Sequence, residues 1–340
     1  MEQKKQIAYL QWLRLLAAAA VVLMHTEGTL WPAGIPGSRE FGVLTAWDSL
    51  VRWPVPVFVM ITGALFLPRK TALSTVLKRY IPRMAAAFFF WSGVYLLWTW
   101  SQGDRTALLQ RFVTGHYHLW YLPFVCGLYL TIPFLQKIVT DEDLGRKLLA
   151  VSLVVGGIIP WVGDLTALCF PALGGVVGSL KNSLHYTFFF DLLAVVLLGY
   201  RLSRREFTAG QRRMIYAAGI LGAVLTLPLT LWASGRTGGP NALFCQHSAP
   251  TTLAAAAAVF VFARYHLTRL PGWVQWMAER SFGVYLSHVL VLEVLEKLGI
   301  HALAADPVWT VPVIGAGAFL LSLGLTELLR RVPQLGNKLV

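Results

Sequence analysis

The chain has 340 residues, 56% of them hydrophobic and only 13% charged, with a mean hydropathy of +0.61 and a net charge of +13. A soluble domain carries about a quarter charged residues, so this balance excludes one and indicates an integral membrane protein. Repeated apolar runs of about 20 residues fit membrane helices, whereas a barrel would show short alternating segments, and none occur. In a soluble protein the positive charge would point to nucleic acid. Here it reads as Lys and Arg gathered in cytoplasmic loops, with no nucleic-acid partner.

The first apolar run follows Lys4 and Lys5, as a signal peptide does, but Arg14 interrupts it and it is long enough to span. It therefore reads as an uncleaved helix over 7–28. Further helices are predicted at 47–67, 79–100, 118–138, 146–164, 185–202, 212–233, 250–266, 278–298 and 308–330, making ten spans. With the N-terminus in the cytoplasm, 21 of the 29 Lys and Arg fall on inner segments and seven on outer ones, with Arg14 inside the first helix. Such a bias supports an even number of spans and both termini inside. The longest outer loops, 29–46, 101–117, 165–184 and 234–249, are too short for a separate soluble domain, so residues 1–340 form one all-α polytopic membrane bundle. No internal repeat is visible. Cys126, Cys169 and Cys245 have no metal-type spacing, and pairing of Cys169 with Cys245 stays open.

The polar residues inside these runs carry the functional argument. From Arg14 to His25 is 11 residues, close to three helical turns, so both leave one face about 16 Å apart. A mid-membrane arginine costs about 2.5–3.5 kcal/mol on insertion scales and ordinarily faces a polar cavity. The plain alternative is a snorkelling arginine with an interfacial histidine. The third helix opens with "KRYIPRM", which clusters Lys78, Arg79 and Arg83 at the inner face, either as anchors or as a grip for an anionic phosphate-bearing ligand. The fourth opens with "GHYHLWYLPF", bringing His116, His118, Trp120 and Tyr121 to the outer interface. The ninth holds "SFGVYLSHVLVL", with Tyr285 and His288 on one face at mid-membrane. Cations gather low, and three of the histidines sit at mid-membrane or high.

These stretches resemble the acyltransferase 3 family of integral membrane acyltransferases. The carriers are "YLQWLR" followed after ten residues by "HT", "PVPVFVMITGALFLPRK", "KRYIPRM", "HLWYLPFVCGLYLTIPFL" and "SFGVYLSHVLVL", in the family's order and spanning about residues 7–330. The resemblance implies transfer of an acyl group, commonly acetyl from acetyl-CoA, to a hydroxyl of a cell-envelope glycan or lipid-linked sugar beyond the inner (cytoplasmic) membrane. It makes Arg14 and His25 the family's paired Arg and His, and puts Arg79 and Arg83 at its inner arginine pair. The chain departs from the family at Gln11, where an acidic residue is common, at Thr62-Gly63 in place of Ser-Gly, and in the spacing of the arginine pair.

On this reading Arg14, Lys78, Arg79 and Arg83 bind the acyl-CoA. His25 is general base or nucleophile, and Tyr285, His288 or His118 donates to the oxyanion. No metal is expected. A homo-oligomer or a separate periplasmic acyl-carrier protein remains an open partner. The main alternative is a transporter or flippase of a small polar or lipid-linked substrate, and a non-catalytic scaffold is the third.

Overall fold

A computed structural model describes residues 2–28, 30–184, 187–332 and 339, so Lys338 and the first two positions of the expected 185–202 helix lie outside the described residues. Among the described residues the chain is helical throughout, without a strand. In chain order the helices are α1 (Glu2–Thr26), α2 (Arg39–Leu50), α3 (Pro54–Phe66), α4 (Leu73–Ser101), α5 (Leu108–Thr114), α6 (Tyr117–Ile138), α7 (Glu142–Cys169) and α8 (Gly174–Leu184). They continue with α9 (Thr187–Arg204), α10 (Ala209–Thr237), α11 (Pro250–His266), α12 (Gly272–Lys297) and α13 (Pro307–Arg330).

Seven of the described helices are long and apolar enough to cross a membrane, counting α2 with α3 as one span, rather than the ten expected. The other three expected spans are helical but fall short. In α9 and α12 charged residues break the apolar run, and α11 has 17 residues. Side chains such as Leu97, Phe134, Val224, Trp309 and Leu320 stay exposed around the outside, as a lipid-facing surface requires.

Three expected loops contain helix. Ser38 caps α2 by accepting from the Phe41 N–H, so helix begins well before residue 47. Residues 101–117 hold α5, and residues 165–184 hold the end of α7 and all of α8. α4 opens with a π-turn over Val76–Tyr80 in which the Ile81 N–H reaches back to Val76 O. Pro82, which has no N–H to give and whose ring crowds the Lys78 carbonyl, accounts for the widened turn.

α1 lies at the centre, packed against α3, α11, α12 and α13. Its buried Leu13 and Ala17 join Val57, Met60, Val196 and Phe260 in the largest apolar cluster. Close approach of α3 and α9 depends on two glycines. A Cβ on Gly63 would lie 2.0 Å from Val196 O, and one on Gly199 would lie 2.3 Å from the Met60 backbone. Small residues at such crossings are how membrane helices gain packing without a hydrophobic driving force. The three cysteines are free, and Cys245 Sγ lies 3.2 Å from Thr230 Oγ1 rather than on Cys169.

Candidate active site

α1, α3, α4, α6, α12 and the 242–247 segment enclose a cavity of about 660 Å³. Arg14 and His25 both line it, so the face that their spacing defines on α1 is a cavity wall about 16 Å long. Around Arg14 stand Arg83 and Tyr129, and around His25 stands Arg52, each within electrostatic reach. Arg83 also sits 5.9 Å over the Phe282 ring. His118 and Tyr285 complete the wall near His25, while Trp120 and His247 stack with ring centroids 5.9 Å apart.

The hydrogen bonds around His25 fix its proton. His288, fully buried, has Nδ1 at 3.1 Å from Val284 O and 2.7 Å from Tyr285 O. Carbonyl oxygens only accept, so His288 Nδ1 carries the hydrogen and its Nε2 is a lone pair. That lone pair is 3.1 Å from His25 Nδ1, which also lies 3.0 Å from Val21 O. His25 therefore carries its hydrogen on Nδ1 and presents a bare Nε2. A neutral imidazole with a bare nitrogen can take a proton or attack a carbonyl carbon.

A second pair of imidazoles stands beside it. The 3-10 turn Tyr117–Trp120 that starts α6 sets His118 with its ring centroid 6.3 Å from that of His25. His118 Nδ1 is 3.1 Å from His116 Nδ1, and His116 Nε2 is 3.1 Å from Glu293 Oε1. His116 also stacks on Tyr95 at 4.4 Å and 19°. Gly115, at φ +72°, lets the chain turn there, and a Cβ on it would strike the Phe88 ring at 2.7 Å. The Tyr95 hydroxyl in turn donates to Leu286 O at 2.9 Å and accepts from the Leu290 N–H at 3.0 Å, bridging one turn of α12. Tyr285 donates its hydroxyl hydrogen to His118 O at 2.5 Å.

A family model for an acyltransferase domain matches residues 7–327, nearly the whole chain. The chain belongs to the acyltransferase 3 family. No curated protein and no solved structure matches it.

In this acyltransferase 3 protein the expected site residues divide into three groups. Arg14, Arg83, His25, His118 and Tyr285 share the cavity wall. His288 lies behind that wall against His25. Lys78 and Arg79 are exposed on the π-turn, off the cavity, and Tyr80 between them and Arg83 packs on Phe66 at 5.4 Å and Tyr129 at 5.6 Å, two wall residues. Among the described residues no group of three His, Cys, Asp or Glu is arranged to hold a metal ion.

Several site residues escaped the sequence reading. Arg52, counted there as an outer-face charge, lines the cavity with Nε 2.6 Å from the buried Asp48. The i,i+4 spacing of Asp48 and Arg52 on one helical face was the available signal. Glu27, two residues past His25, is 3% exposed, and its burial together with the nearby Asp48 carboxyl pushes it well above the usual carboxylate range. Glu293 and Tyr95 carried no local signal, because their partners lie far away in sequence.

Proposed function

We propose that the protein transfers an acyl group, acetyl in the simplest case, from a cytoplasmic acyl-CoA to a hydroxyl of a cell-envelope glycan or lipid-linked sugar on the outer side of the inner membrane. The observation that carries this reading is the single cavity joining two cations, Arg14 and Arg83, to the bare Nε2 of His25. The positive-inside bias of the sequence puts the Arg14 end toward the cytoplasm. Guanidinium groups grip phosphate and amide oxygens well, so Arg14 and Arg83 hold the donor inside the cavity. Lys78 and Arg79, exposed beside it, meet the donor's phosphates outside.

The thioester then lies beside His25. Its Nε2 either takes the hydroxyl proton of the acceptor or takes the acyl group itself and passes it on. His288 is fully buried behind it, so His288 acts by holding the His25 ring. The Tyr285 hydroxyl is committed to the His118 carbonyl, and Tyr285 holds that turn in place. Arg52 gives Asp48 only part of its donor set and stands by the cavity at the His25 end, where its remaining N–H groups meet the developing oxyanion.

The test is CoA release from acetyl-CoA by purified, reconstituted protein, with and without envelope glycans or lipid-linked sugars. Acceptor-dependent release is expected, and His25→Ala should abolish it while leaving donor binding largely intact. Gradient-driven uptake of a substrate with no CoA release would replace this reading with a transporter.

A further inference from the structure

His116 and Glu293 take no part in the chemistry assigned above, yet a stacked Tyr95 and a tight Gly115 turn hold the His116 ring in place. The two imidazole chains beside the cavity end differently. The His25–His288 chain ends on two backbone carbonyls, which cannot accept a proton at neutral pH. The other chain ends on a carboxylate. Glu293 accepts from His116 Nε2, so that nitrogen carries the hydrogen, and in the neutral imidazole His116 Nδ1 is then a lone pair. Its 3.1 Å neighbour, His118 Nδ1, must then be the donor. His118 Nε2 is left bare, and it is buried without a hydrogen-bond partner.

The ends of this chain meet two different spaces. His118 forms part of the large cavity wall. Glu293 lines a second pocket of about 60 Å³ with Tyr117, Glu296 and His301 at the C-terminal end of α1, large enough for water. A proton that stopped on His118 would leave a cation on a ring 2% exposed, which is costly. A proton passed to Glu293 neutralises a carboxylate instead, and no net buried charge appears.

We infer that the Glu293–His116–His118 chain is the base for the acceptor-consuming half of the transfer, which leaves His25 as the group that takes the acyl carbon. The inference rests on the acyl-transfer reading above. In the first half, His25 Nε2 bonds to the thioester carbon, the C–S bond breaks, and the thiolate departs and takes a proton from water. His25 carries the positive charge. In the second half, the acceptor O–H gives its proton to His118 Nε2 as His118 Nδ1–H passes to His116 Nδ1 and His116 Nε2–H passes to Glu293. The acceptor oxygen bonds to the acyl carbon, and the C–N bond breaks, which restores neutral His25. Reversal of the relay then returns the proton through His118 Nε2 to cavity water, matching the one the thiolate took. His118 is the catalytic residue of this unit, and His116 and Glu293 are positioning residues.

Two measurements on the full chain test it. The first is 15N NMR of histidine-labelled protein in nanodiscs, with His118 assigned from the His118→Asn spectrum. Wild type should show His118 protonated on Nδ1 with Nε2 bare, and Glu293→Leu should lose that preference. A wild-type His118 protonated on Nε2, or no change in Glu293→Leu, overturns the wiring. The second is rapid-mix kinetics with acetyl-CoA. Glu293→Gln should keep the initial one-equivalent CoA burst and acetyl-labelled His25 while acceptor-dependent turnover falls about 100-fold, the lower end of what a general base contributes. Glu293→Asp should recover part of the turnover, and the donor KM should not move. Equal loss of burst and turnover, or no loss, overturns the assignment. Absence of CoA release from wild type with every acceptor would sink the acyl-transfer reading itself and the base role with it, while the NMR result would still decide the wiring.

Discussion

Of the hydrogen bonds that His288 makes, one reaches the His25 ring: the 3.1 Å bond from His25 Nδ1 to its Nε2. Whether His25 ends up protonated or acylated, it becomes cationic, and this bond then has a charged donor. A hydrogen bond to a charged group contributes about 1.5–3 kcal/mol, which at about 1.4 kcal/mol per decade is about 10- to 150-fold in rate. Two replacements separate this bond from packing. In His288→Asn the amide takes the place of Nδ1, keeping a donor for Val284 O and Tyr285 O but losing the acceptor for His25. In His288→Gln the longer side chain puts an acceptor where Nε2 was. Asn should therefore lower kcat by about 10- to 150-fold with donor KM unchanged, and Gln by clearly less. The assay is acceptor-dependent CoA release, with thermal unfolding in detergent to confirm that both variants are folded. Equal kcat for Asn and Gln, or wild-type kcat for Asn, would refute the idea that His288 works through His25.

Arg14→Ala should raise the donor KM at every ionic strength, because Arg14 is half-buried in the cavity, whereas the effect of Arg79→Ala, an exposed change, should fade in high salt as the Debye length falls from about 8 Å to about 3 Å. Donor binding by titration at 0.15 M and 1 M salt checks both, and an Arg14 effect that vanishes in salt counts against a cavity-held donor. Glu27 has its carboxyl raised above the ordinary range, so its contribution to stability is complete below its unfolded value and is lost as pH rises through the folded one. Glu27→Gln should flatten the fall of Tm with rising pH, and an unchanged slope would remove Glu27 as its source. Gly199→Ala places a methyl 2.3 Å from the Met60 backbone and should destabilise by about 1–3 kcal/mol in detergent unfolding. A neutral result would mean that α3 and α9 are freer to separate than their packing shows.

Much of the architecture was legible in hydropathy alone, since among the described residues each expected span falls largely on helix, with 47–67 broken at 51–53. The count of spans did not follow from hydropathy, because charged residues break the apolar runs of α9 and α12. The helix of α2 before residue 47 hid behind the Gly and Pro breaks of residues 32–37, where the cue was Ser38 as a cap. The placing of Arg14 and His25 on one wall followed from helical periodicity, as did the pairing of Tyr285 with His288. The carboxylate of Glu293 did not, because its partner His116 lies 177 positions earlier and only the packing of α12 against the start of α6 brings them together. Arg52 was counted only as an outer-side charge, because its role depends on a buried Asp48 and on a wall built from other helices.

The hydroxyl of Tyr95, spliced between the Leu286 carbonyl and the Leu290 amide, has a mechanical consequence. It acts as a detent between α4 and α12: an axial slip of one against the other would take both partners from a phenol hydroxyl that no solvent can reach. The helix so latched carries His288 and Glu293, the anchors of both imidazole chains. One phenol on α4 thereby sets the height at which both chains stand.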